Sequence, residues 1–395
     1  MSLLTQASLV LTPTSFKANK LYSVVPSSGN GDMVTTRATT ATRVNSSGLV
    51  ENVATGVPRL DYTGSVPSIL LEPQRTNLLL NSVWAGGGST PTSFTKSFLG
   101  TTTPITSVKN PNVTAYNFNG TSIRGYFYQT QTFTINNVYS LSIYVENVTI
   151  TQAIVDIIAI VNATGTSVYY KNNVAISSST NIEVGNTYTI VFTATATTTI
   201  SEVRFGLGAY GGTPTGNFTL SMPQLEIGAY ATSYIPTTIS TVTRNQDLMT
   251  LNNIYTNNFI TSAGGTWFVE LNNNFSLTRD SGGQFGIGTA SEIGTANALT
   301  IRRDAGNGRL LIIKYISGVG TPIYTTLTDT IKVGIKWNGT TADVFVNGVK
   351  VVTSTTFTTT AMEFLQANAI DVPKYIKSFI LFWQSISFPK ESDPW

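Results

Sequence analysis

The chemistry open to this chain is bounded by what it lacks: it has no histidine and no cysteine, and only 20 acidic residues in 395. Without imidazole there is neither the commonest general base nor a Ser-His-Asp triad. Without imidazole and thiolate together, zinc and iron–sulfur sites lose their ordinary ligands. A glycoside hydrolase stays chemically open, because it needs only two carboxylates about 5–10 Å apart. The acids, however, are scattered singly. Glu270, for example, is followed by Leu271 and then Asn272, Asn273 and Asn274, with no closely spaced series of acids on one strand. No phosphate-binding G-x-x-x-x-G-K-[ST] loop occurs, and the glycine runs Gly86-Gly-Gly88 and Gly282-Gly283 read as connections between strands. The expectation is a protein that is not an enzyme and carries no cofactor.

Calcium is the one metal with candidate ligands. Thr278-Arg-Asp280-Ser-Gly282 and Asp304-Ala-Gly-Asn307-Gly308 could present carboxylate, amide and carbonyl oxygens from loops. Both are also ordinary turn sequences, and the turn reading is preferred for Asp280, Asp304 and Asn307.

Sugar binding would use exposed aromatic rings with amide and carboxylate hydrogen bonds around them. Trp84 beside its glycine run and Tyr210 beside Gly211-Gly212 are the best placed, followed by Tyr126 and Tyr128, which share a strand face, and by Tyr169-Tyr170. The competing reading for each is a core or interface aromatic, and for Tyr126 and Tyr128 that reading is favoured. Trp267, Trp337 and Trp383 lie in strongly patterned segments and are expected in a core, and Trp395 against a neighbouring domain or subunit.

The elements that must position these residues are strands. Tyr139-Ser-Leu-Ser-Ile-Tyr-Val145 alternates with period two, as do Thr187–Phe192 after the turn Glu183–Asn186, and Phe218–Met222. Ala153–Val161, almost continuously apolar, reads as a strand buried on both faces. Ile331–Trp337, Ala342–Val346 and Val349–Val352 form a meander whose second turn, Asn347-Gly348, supplies the two positive-φ positions of a type I′ hairpin. Ile376–Trp383 is apolar enough for a central strand, and only Thr360–Ala369 could be a short helix. Residues 1–76 carry Pro13, Pro26, Pro58, Pro67 and Pro73 and read as an extended arm with short edge strands at Leu9–Leu11 and Ile69–Leu71. The expected architecture is all-β: an N-terminal extended arm (1–76) followed by two antiparallel β-sandwich domains, 77–238 and 239–395.

Charged residues make up 11% of the chain, less than half of the about 25% usual in soluble proteins, and the net charge is +3. Arg302-Arg303 is as long as a basic run becomes, so neither nucleic acid nor a membrane surface is an expected partner. Surface polarity comes from Thr, Ser and Asn, which suit half-exposed strands. Met1–Leu11 has no basic n-region or A-x-A cleavage site, and nothing approaches 18 consecutive apolar residues. Absence of disulfides fits assembly in a reducing cytoplasm followed by release.

Several segments resemble proteins of tailed-bacteriophage particles. Arg37-Ala-Thr-Thr-Ala-Thr-Arg43-Val-Asn-Ser-Ser-Gly48-Leu-Val-Glu51, with Val57-Pro58-Arg59-Leu-Asp61-Tyr62 and Leu70-Leu-Glu72-Pro-Gln74-Arg75-Thr-Asn77-Leu78, resembles a stretch recurring in phage tail and fibre proteins. Pro223-Gln-Leu-Glu226-Ile-Gly-Ala-Tyr230-Ala-Thr-Ser-Tyr234-Ile-Pro236-Thr237 resembles the closing strand of a carbohydrate-binding-module-like jelly roll in such proteins. Val333–Gly339 with Val344–Gly348 is similar to central hairpins of laminin-G and concanavalin-A-like lectin domains. The Thr/Asn-rich style is similar to that of phages of gut Bacteroides, crAss-like ones among them. The resemblance implies a head fibre, tail fibre or capsid-decoration protein on the virion surface. Its arm would hold capsid or tail proteins, it would form a homo-oligomer (a trimer before a dimer), and its jelly-roll and lectin-like modules would meet host or mucosal glycans. A ligand-free spacer is the alternative, with a glycan depolymerase third.

Overall fold

Strict alternation of apolar residues does what elementary sheet geometry requires. In the strand Val138–Val148, Tyr139, Leu141, Ile143 and Val145 all turn inward and are buried. A computed structural model of the chain describes residues 6–382 except 65, 98–99, 121–123, 150–152, 212–215, 262, 273–284, 290–295, 304–309, 327–329, 358–360 and 369–373. Among the described residues the elements are strands and two short 3-10 turns, with every named strand pair antiparallel and no α-helix. The chain divides into two compact units, one built from Met1–Ser46, Val53–Gln74 and Asn245–Trp395, the other from Ser47–Asn52 and Arg75–Arg244.

The second of these units is a sandwich of two sheets. A seven-stranded sheet runs in the order Thr101–Thr106, Thr114–Gly120, Gly216–Ile227, Val138–Val148, Asn186–Ala194, Gly165–Lys171, Val174–Ile176. A four-stranded sheet runs Thr95–Ser97, Gly125–Phe133, Thr198–Leu207, Ile158–Val161. Their inner faces share one core, to which the first sheet gives Leu141, Ile143, Phe192 and Leu220 and the second Phe127, Val203 and Phe205. The segment Ala153–Val161 is not the doubly buried strand expected. Ile154–Asp156 is a 3-10 turn, and Ile158–Val161 is an edge strand whose first residues plug the core. Turn and edge strand bury Ile154, Ile157 and Ile158 together, which produces the same run of apolar letters.

The other unit is likewise a sandwich. One sheet runs Val349–Thr356, Thr341–Val346, Thr330–Trp337, Gly265–Asn272, Lys374–Phe382, Ser68–Leu71, Arg59–Asp61, and Leu9–Leu11 joins it against Lys374–Phe382. The facing sheet runs Val319–Thr326, Leu310–Ile316, Ala298–Arg303, Phe285–Gly288, Phe364–Asn368, Leu248–Asn252, Val34–Thr36. Trp267, Trp337, Ile335 and Leu381 meet Phe285, Ile301, Ile312 and Leu365 in the shared core. The hairpin at Asn347-Gly348 has φ of 49° and 87° at its two turn residues, the positive pair a type I′ turn needs. Lys374–Phe382 is central, with Gly265–Asn272 on one side and Leu9–Leu11 and Ser68–Leu71 on the other.

Two expectations change here. The segment 1–76 is not a free arm, since Leu9–Leu11, Val34–Thr36, Arg59–Asp61 and Ser68–Leu71 are integral strands of this sandwich. Its prolines sit between these short strands, which is compatible with edge positions and turns. The stretch Thr360–Ala369, weighed as a helix, contains the strand Phe364–Asn368. Its helix-favouring Ala, Met, Glu and Leu are overridden by partner strands on both sides, Leu248–Asn252 and Phe285–Gly288.

Two sheet edges carry a proline: Pro104 in Thr101–Thr106 and Pro322 in Val319–Thr326. A proline has no N–H to offer a further strand, so both edges are protected against edge-to-edge pairing.

Candidate functional site

The aromatic candidates separate sharply by burial. Trp84 has 0% of its surface exposed, so it is unavailable to a sugar. It stands at the centre of the core of its unit, with Phe94, Tyr116, Phe118, Phe127 and Phe205 around it at ring-centroid distances of 5.6–6.3 Å, all in edge-to-face geometry. A φ of 51° at Trp84 turns the chain so that the indole enters the sandwich instead of following the adjacent glycine loop outward. Tyr126, 3% exposed, lies beneath Arg204, whose guanidinium carbon is 4.7 Å from the ring centroid. Tyr128 is half-buried, 6.3 Å from Tyr126. Trp267 and Trp337 are core residues, as their patterning indicated. Asp280, Asp304, Asn307, Trp383 and Trp395 lie outside the described residues.

Tyr210 is the exception, with 67% of its surface exposed. The residues leading to it, Phe205 to Ala209, are all buried. Their backbone is tied to the 3-10 turn. Gly206 N–H donates to Ile157 O at 2.8 Å, Gly208 N–H to Asp156 O at 2.9 Å, and Ala209 N–H to the same oxygen at 3.2 Å. Tyr210 N–H itself donates to Val155 O at 3.2 Å. From the other side Arg204, stacked on Tyr126 and ion-paired through Nε to Glu202 at 2.7 Å, donates from Nη1 to Ala209 O at 3.2 Å. Tyr169, on the strand Gly165–Lys171, lies close enough for electrostatic interaction with Tyr210. Burial first, and then the Tyr210 phenol, push the Tyr169 hydroxyl above the ordinary tyrosine range. Asp156 is half-buried, and burial raises its carboxyl while a backbone hydrogen bond from Ala153 pulls it down.

Two buried polar frames, which sequence reasoning did not single out as such, are built largely from the residues that carry the phage resemblance, with Asp247 added from outside those segments. In the first, Asp247 receives Arg37 Nη1 at 2.7 Å and also Arg59 Nη2, while Arg59 Nη1 reaches Glu72 Oε2 at 2.6 Å. Glu72 N–H donates to Asp247 Oδ2 at 2.8 Å, and Arg37 Nε and Nη1 reach the carbonyls of Thr39 (2.9 Å) and Val57 (3.2 Å). All four side chains are essentially inaccessible. Burial works against the Arg59 charge, but the carboxylates of Asp247 and Glu72 more than offset it and hold the guanidinium above its ordinary range.

The second frame surrounds Glu226 in the other unit. Its carboxylate accepts Thr232 N–H at 2.9 Å, Thr232 Oγ1 at 2.5 Å and Gln224 Nε2 at 2.8 Å. Asn77 bridges the same region, donating to Ile235 O at 2.8 Å and accepting from Leu225 N–H at 3.1 Å. Arg75 stacks over Tyr230 at 5.1 Å and donates to its hydroxyl at 2.9 Å. Gly228 makes this fit: with φ of 154°, a Cβ there would stand 2.7 Å from Arg75 Nε. The signal that could have found both frames is scarcity. In a chain with so few charges, Arg37, Arg59, Glu72 and Arg75 fall within the one stretch 37–75, and Glu226 stands alone as the charge of its segment.

Among the described residues no group of three or more His, Cys, Asp or Glu is placed to hold a metal ion, and no helix is long and apolar enough to cross a membrane. No protein-family model and no curated protein matches this chain.

Proposed function

We propose that this is a structural protein on the surface of a tailed-phage virion, a head or tail fibre or decoration protein whose β-sandwich units mediate adhesion to the host or to glycans. The observation that carries this reading is that the segments resembling phage tail and fibre proteins supply Arg37, Arg59 and Glu72 of one buried polar frame, closed by Asp247 from outside them, and Asn77 and Glu226 of the other. The shared residues are thus structural determinants of the fold, and a resemblance resting on them speaks to architecture instead of to a chance surface match. A surface made polar by uncharged Thr, Ser and Asn supports many weak, reversible contacts, whose strength would come from copy number. A homo-oligomer, a trimer in this reading, would associate through faces, because prolines protect two of the edges. The attachment function assigned to residues 1–76 would reside in the surface of a folded unit instead of a free arm.

A ligand-free spacer is the second reading, and one observation favours it: two of the aromatic candidates, Trp84 and Tyr126, are buried. A cryo-EM reconstruction of the particle tests the proposal directly. The expected result is this chain on the virion exterior, with at least one sandwich facing solvent. A chain absent from the particle, or enclosed on all sides by other virion proteins, overturns it.

A further inference from the structure

A large aromatic side chain left in water normally belongs to a loop that can move. The Tyr210 loop contradicts that pattern: the N–H groups of Gly206, Gly208, Ala209 and Tyr210 are bonded to the turn Ile154–Asp156 and its neighbour Ile157, and Arg204 holds the Ala209 carbonyl from the sheet. The phenol ring is therefore held out on a rigid base while the residues before it are buried. Nothing in the core requires a tyrosine there. Preorganisation of this kind lowers the ordering cost of a contact, because only the ring torsions of Tyr210 remain to be fixed.

From this geometry we propose that Tyr210, held on the turn Ile154–Asp156 and with Tyr169 near it, forms a binding subsite for a neutral hexopyranose. The Tyr210 ring offers an apolar face to the axial C–H groups of a pyranose. The Tyr169 hydroxyl is a hydrogen-bonding partner for sugar hydroxyls at the rim. The ligand is neutral because the charges nearby give no place to an anion. The Arg204 guanidinium is engaged with Glu202, the Ala209 carbonyl and the Tyr126 ring. This subsite rests on the adhesion reading above and gives it a location and a ligand class.

The test is a titration of the full chain with neutral oligosaccharides of glucose, galactose, mannose and N-acetylglucosamine, alongside a sialylated oligosaccharide, for the wild type and two variants. Tyr210→Ala should weaken binding of the preferred neutral sugar about tenfold with an unchanged melting temperature, a loss in the range of one aromatic contact. Tyr210→Phe, which keeps the stacking face, should stay close to wild type. Full-strength binding by Tyr210→Ala, preference for the sialylated sugar, or no neutral-sugar binding by the wild type each overturns the subsite. Antibody labelling of intact particles reads virion placement independently, so loss of the subsite and loss of the adhesion reading give different results.

Discussion

Arg37 and Asp247 meet in the interior of one sandwich at 2.7 Å, although 210 positions separate them in sequence. The bond links the first stretch of chain to the last one in that unit, and Arg59 and Glu72 from the middle stretch complete it. Buried ion networks contribute little relative to a well-packed apolar replacement, but removing one member leaves the others charged and unpaired. Asp247 faces both arginines, so its loss takes a carboxylate from each of them.

Asp247→Ala should therefore destabilise its unit by about 3–5 kcal/mol. Urea unfolding followed by tryptophan fluorescence measures this, since Trp267 and Trp337 are buried in the same unit. A loss below about 1 kcal/mol, the scale of an exposed ion pair, would show that the network is not buried as described.

Trp84→Ala removes the hub of an edge-to-face aromatic cluster and should cost about 3–5 kcal/mol. The sandwich formed by Ser47–Asn52 and Arg75–Arg244 should then melt well before the other. Scanning calorimetry checks it: separation of the transition into two steps, with the earlier one moved, is the expected outcome.

Glu226 gives a pH dependence of defined sign. Burial pushes its carboxyl up, and the bonds from Thr232 and the charges of Arg244 and Arg75 recover only part of that. The folded state therefore holds this proton more tightly than the unfolded chain does. Its contribution to stability is fully present below the ordinary glutamate range and is lost as pH rises through the elevated folded value. Glu226→Gln should flatten that part of the stability–pH curve. An unchanged slope in the variant would assign the dependence to other groups.

At the type I′ turn, Gly348→Ala forces a Cβ into the left-handed region at φ 87°. The expected cost is about 1–2 kcal/mol, with the hairpin Thr341–Val346/Val349–Thr356 fraying first. Amide hydrogen exchange reads this locally, and faster exchange confined to those strands is the result that agrees.

The all-β architecture was legible because its cues are local. Alternation in Tyr139–Val145 and the Asn347-Gly348 turn each specify a conformation without reference to distant residues. The placement of residues 1–76 was not legible, because Leu9–Leu11 finds its partner at Phe379–Leu381, near the opposite end of the described chain. Proline density marks where strands stop, not whether the short pieces between them join a sheet. The aromatic candidates show a similar limit. Trp84 and Tyr210 both adjoin glycine runs, yet one ring turns into the core and the other into water. Sequence identifies such positions as loops, whereas the direction of the side chain depends on backbone torsion and on the partners that meet it.

The interrupted sequence of one sandwich has a consequence for how the chain is made. Synthesis runs from the N-terminus, so Leu9–Leu11 and Ser68–Leu71 leave the ribosome long before the strand Lys374–Phe382 that they border. Apart from Ser47–Asn52, the intervening unit is contiguous and can fold as soon as it emerges. Leu9–Leu11, and the edge of Ser68–Leu71 that is not covered by Arg59–Asp61, must wait for Lys374–Phe382. A ribosome that stops short of residue 374 releases a chain with one finished sandwich and, in the other, an apolar seam left open where the central strand belongs.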